Sequence, residues 1–212
     1  MKTERLITML AADAASRERS TGSALALALL AALPVSIVLF IVTLGVRDDV
    51  HVAMRNPFFD LKFAVTLALA VTAIILGLHL SRPEASPRGW MWLLLAPVLL
   101  IAAGIVGEMM MPQSQPWLTR LIGNSALACL MSIPVFSLPL LVAVLLALRR
   151  GAPARPALAG AVAGLIAAGL GATLYASHCA DDSPLFVAVW YSMAAGLMAI
   201  IGAIAGRRLL RY

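Results

Sequence analysis

NSALACLMSIPVFSLPLLVAVLLAL, residues 124–148, runs for twenty-five residues without one charged side chain. A helix gains 1.5 Å per residue, so this stretch covers about 37 Å and exceeds a hydrocarbon core of about 30 Å. Its end is abrupt, at Arg149-Arg150-Gly151. An apolar run this long is a membrane span, and within lipid it must be helical, because no water is there to satisfy its backbone groups.

Five similar blocks lie to either side: Ala24–Val46, Leu61–Leu80, Trp90–Met110, Ala157–Ala176 and Leu185–Ala205. Together they predict an all-α, polytopic bundle of about six transmembrane helices. Residues 1–23 form an N-terminal segment, 24–206 the membrane domain and 207–212 a short basic tail. Composition agrees, with 62% hydrophobic and 12% charged residues in a 212-residue chain and a mean hydropathy of +0.96. Soluble domains are about half apolar and about a quarter charged. The loops are too short for a separate soluble domain. The first block is too long, and begins too far along the chain, for a cleavable signal peptide.

The net charge of +6 does not indicate nucleic acid, because the basic residues flank apolar blocks instead of forming one patch. Lys2, Arg5, Arg17, Arg19, Arg82, Arg88, Arg149, Arg150, Arg155, Arg207, Arg208 and Arg211 fall on one side of the six-span topology; Arg47, Arg55, Lys62 and Arg120 fall on the other. The positive-inside rule then puts both termini in the cytoplasm, N-in and C-in, with the lipid bilayer as the surroundings.

In the N-terminal segment, Leu6, Ile7, Met9 and Leu10 form a short apolar stripe among Glu4, Arg5 and Asp13. Such a stripe can lie on the inner leaflet or dock into a groove on a soluble partner. Gly160 and Gly164 make a small-x-x-x-small pattern, suited to close packing inside the bundle or to pairing with a second copy of the chain. Pro34, Pro97, Pro134 and Pro139 are expected to kink their spans.

The two cysteines, Cys129 and Cys179, fall near the outer ends of their segments, and Cys179 sits in Tyr175-Ala-Ser-His-Cys-Ala-Asp-Asp-Ser-Pro184. Three arrangements suit them: a structural disulfide, a redox or metal-responsive pair, or two unrelated buried thiols. For a metal, Cys129, Cys179 and His178 offer soft and borderline donors, and Asp181 or Asp182 an oxygen. Lys62 and Glu108, at helix ends, are expected to snorkel to the interface. No charged residue is placed at mid-bilayer, which argues against an ion-coupled transporter, and no catalytic motif is present, so no enzymatic activity and no resident cofactor are expected.

Gly171–Tyr191, Val46-Arg-Asp-Asp-Val50 with Asn56-Pro-Phe-Phe-Asp-Leu-Lys62, Cys129-Leu-Met-Ser-Ile-Pro134 and the opening Met1–Leu10 carry a resemblance. With them the chain resembles the NrsF-like family of six-span anti-sigma factors of the bacterial inner membrane. It implies a membrane-bound repressor whose N-terminal segment holds a sigma factor of the extracytoplasmic-function class. It also implies that Cys129 and Cys179 sense oxidative stress or a divalent heavy metal. The alternative from another class is a small membrane transporter or thiol redox protein.

Overall fold

A computed structural model of the chain describes residue 3 and residues 21–82, 86, 88–112 and 115–210. Among these, six helices are long and apolar enough to cross a membrane, which marks the chain as a membrane protein. They are α1 (Thr21–Thr43), α2 (Pro57–Leu80), α3 (Trp90–Met110), α4 (Ala126–Leu148), α5 (Pro156–Ala176) and α6 (Pro184–Leu209). A short helix, Trp117–Ile122, leads into α4.

Local chemistry sets the helix edges. Helix α1 stops three residues before Val46 because Gly45 turns to φ +70°, and the N–H groups of Leu44 and Gly45 both donate to the Phe40 carbonyl at 2.9 Å. Helix α2 starts four residues earlier than hydropathy suggests. Asn56 Oδ1 accepts from the Phe58 N–H at 3.1 Å, and Pro57 follows at the first helical position. That early start carries Asp60 into the helix and places Lys62 in its second turn. Pro34, Pro134 and Pro139 lie inside helices, as expected. Pro97 also lies within α3, in the first α-helical turn after the 3₁₀ segment Trp90–Leu94, a position where proline is tolerated. Helix α6 contains a π-helical turn, Val187–Tyr191.

Helix α5 is the centre of the bundle, packing against α6, α2 and α4, while α1 lies on α4 and α3 on α2. Its small residues permit this. A side chain at Gly160 or Gly164 would run into the backbone of Gly202 or Met198 on α6, so the two helices meet main chain to main chain. The glycine pattern therefore packs the interior of one chain. Outward-facing side chains such as Val38, Val42, Leu99 and Val142 remain exposed. That apolar belt is unsuited to water and suited to lipid.

With six spans among the described residues, α1 begins and α6 ends at one face, here termed proximal. The loops after α1, α3 and α5 meet at the opposite, distal face. One buried cluster, including Leu76, Leu140, Val144, Leu148 and Ile166, fills the proximal half. A second, around Phe136, Tyr175 and Phe186, fills the distal half.

Candidate functional site: the distal cysteine cluster

Cys129 lies one turn into α4, and Cys179 lies in the loop between α5 and α6. Both are fully buried free thiols in the same distal cluster. Around them stand Phe136 from α4, Tyr175 from α5, and Phe186 and Tyr191 from α6. Val187 and Tyr191, at the two ends of the π-helical turn, are both buried in this wall. Tyr175 and Tyr191 have buried hydroxyls without a well-formed hydrogen bond among the described residues, although both rings lie close to the cysteines. Burial is the main influence on Cys179 and pushes its thiol above the ordinary range, with Lys62 pulling the other way. A protonated, enclosed thiol is a poor nucleophile and a poor metal ligand until the enclosure loosens.

The enclosure is pinned by charge. Lys62 Nζ reaches Asp182 at 2.6 Å and donates to the Cys179 carbonyl at 2.9 Å. Arg47 Nη1 contacts the same two groups at 3.3 Å, while its Nε and Nη2 grip Asp49 at 2.6 and 2.7 Å. The bond to Asp49 raises the pKa of Arg47 and lowers that of Asp49, so this contact stays ionic. Asp181 takes a different role: its carboxylate accepts from the backbone N–H of Asn124 and, at 2.8 Å, of Ser125, capping the start of α4 from another loop. His178 Nδ1 lies 3.0 Å from the Gly45 carbonyl and ties the loop after α1 to the loop after α5. Among the described residues, no three His, Cys, Asp or Glu side chains are grouped to hold a metal ion.

Two expectations need correction. Lys62 and Glu108 do not snorkel: they are 1% and 3% exposed. Each meets an opposite charge inside the bundle, Lys62 on Asp182 and Glu108 on Arg120 at 2.9 Å. A partner within the protein removes the need to reach water.

The sequence profile described as NrsF, negative regulator of sigma F, matches residues 10–212. This chain belongs to the NrsF family. It is 38% identical over 215 residues to the anti-sigma-F factor NrsF of Caulobacter vibrioides, and 33% identical over 213 residues to the probable anti-sigma-F factor NrsF of Azospira oryzae. Both alignments cover the whole of each chain. No solved structure matches it.

Within this NrsF chain, the structure brings together Cys129, Cys179, Asp181 and Asp182, with His178 on the rim. Leu6, Ile7, Met9 and Leu10 lie outside the described residues. Sequence reasoning passed over Arg47, Lys62, Tyr175 and Tyr191 as site residues. A signal for the first two was available: basic residues at the distal ends of apolar helices need an acid, and the last distal loop offers Asp181 and Asp182 with no basic residue of its own.

Proposed function

We propose that this chain is an anti-sigma factor of the bacterial inner membrane, with both termini cytoplasmic. It holds a sigma factor of the extracytoplasmic-function class through residues 1–22, with Leu6, Ile7, Met9 and Leu10 as the contact stripe. It releases that factor when Cys129 and Cys179 are oxidised or capture a thiophilic divalent metal. In the metal case His178 leaves Gly45 to complete the ligand set, with Asp181 or Asp182 as an oxygen donor.

The observation that supports a sensing role is the double use of Cys179. Its sulfur is sealed in the apolar cluster, while its carbonyl is held by both Lys62 and Arg47. Chemistry at the sulfur strains a residue whose backbone carries the pins between the loops after α1 and α5. Two packed arrangements of such a site give the bistable element a switch requires. Helix α5, central in the bundle, is the path from that loop to the proximal face.

The test is a target-promoter reporter in cells carrying the intact chain, a chain lacking residues 1–22, Cys129→Ser or Cys179→Ser. Deletion of the segment should leave the promoter permanently on, and each Ser variant should keep it off under oxidant or metal. Normal induction in both Ser variants would end the cysteine reading; normal repression without the segment would end the sequestration reading.

A further inference from the structure

Between α3 and α6 the bundle is split. The two helices touch at the distal end, where Gly104 approaches Pro184, and α3 otherwise leans on α2. They diverge toward mid-span and leave a cavity of about 310 Å³. Leu69 of α2, Val98 and Ile101 of α3, Leu165 of α5, and Tyr191 and Ala195 of α6 are among its walls. Its depth follows from Leu69, Val98, Ile101, Leu165 and Ala195, near the middle of their helices, with Tyr191 toward its distal end. Thr66, at the edge, is already satisfied by the Lys62 carbonyl and by Thr173. On α6, a methyl group at Gly196 would meet nothing within 4 Å, so the space beside it is open.

We propose that this cavity is a binding site for one hydrocarbon chain of a membrane lipid, entering sideways between α3 and α6. Three observations converge on that occupant. The depth is that of the hydrocarbon core, where acyl chains are the abundant solute and water is absent. The volume is at the lower end of the range of small-molecule sites, which fits a single narrow chain. Part of the wall, Val187 and Tyr191, belongs to the π-helical turn, a local irregularity that recurs at functional sites. Those two residues and Ala172 also belong to the cysteine cluster, so an occupant rests directly against its packing. The binding site itself does not depend on the proposed signalling role.

The test uses the full chain in nanodiscs containing phosphatidylethanolamine with a diazirine midway along one acyl chain. After irradiation, adducts are mapped by peptide mass spectrometry. Adducts at Tyr191, Ala195 and Ile101 should exceed those at Val38 and Val142, which face bulk lipid, by at least severalfold. Gly196→Leu fills the cavity from α6 and Val98→Trp from α3; each should lower the wall adducts severalfold and leave Val38 and Val142 unchanged. Equal labelling of wall and lipid-facing residues in the unmodified chain would mean bulk lipid contact only and would overturn the site. Unchanged wall adducts in a folded filling variant would overturn it as well.

Discussion

Replacing Lys62 with Met keeps the length and apolar stem of the side chain and removes its charge. Asp182 then stays at the distal face with Arg47, 3.3 Å away, as its remaining cation. Removing one partner of a buried pair costs about 3–5 kcal/mol when the survivor is fully enclosed. Asp182 is 16% exposed and retains Arg47, so the lower part of that range applies, with the lost bond to the Cys179 carbonyl included at about 1 kcal/mol. A total near 3 kcal/mol is expected. At 1.36 kcal/mol per factor of ten, local opening of the loop becomes about 150-fold more frequent. Cys179 is 1% exposed and reports that opening directly. Its alkylation by iodoacetamide, assigned by peptide mapping in detergent or nanodiscs, should accelerate by two orders of magnitude. Arg47→Met leaves the shorter Lys62–Asp182 contact in place and gives up the 3.3 Å contacts to Asp182 and the Cys179 carbonyl, two groups that Lys62 still holds, besides its bond to the exposed Asp49. That loss is the equivalent of one ordinary hydrogen bond at the loop, so only about a fivefold acceleration is expected. Lys62→Met combined with Asp182→Leu removes both charges and should return labelling toward that of the unmodified chain. Less than fivefold acceleration in Lys62→Met, or an equal effect of Arg47→Met, would refute the view that Lys62 is the main pin.

Three further outcomes follow from the same contacts. Asp181→Ala uncaps α4 at a cost of about 1 kcal/mol, seen as roughly fivefold faster alkylation of Cys129 and Cys179. Gly164→Ala drives a methyl group into the Met198 backbone and should cost about 1–3 kcal/mol of stability, whereas Gly107→Ala meets open space and should be neutral or gain up to about 1 kcal/mol; thermal unfolding in detergent separates them. Because burial holds Cys179 in its protonated form, its thiolate fraction in the folded chain is below that of a free thiol at the same pH. Alkylation through the opened loop is coupled to loss of that proton, so its rate should keep rising with pH beyond about 9 rather than levelling there, and a plateau near the ordinary thiol value would contradict the enclosure.

The six spans were legible because hydrocarbon thickness imposes one length on every crossing, and uninterrupted apolar runs such as residues 124–148 have no other stable reading. The edges were less legible, since Asn56 capping and the Gly45 turn are local hydrogen-bond events that a hydropathy average smooths over. The cysteine-bearing segments could be assigned to the same end from topology alone. Their meeting in one cluster could not, because Cys129 and Cys179 belong to different helical hairpins and are joined only by packing around Tyr175 and Tyr191.

What the sequence by itself determined is the all-α class, the number of crossings, the clustering of basic residues and membership in a family of sigma-factor regulators, all of which depend on composition along the chain. Tertiary structure alone decided where the charges and small residues are spent. Lys62 found Asp182, 120 positions away, and Gly160 found Gly202 on the neighbouring helix. The physical reason is the same in both cases. A lysine at a helix end can reach water or an acid, and a glycine face can meet any other small face; only the arrangement of the six helices brings one of those partners within reach.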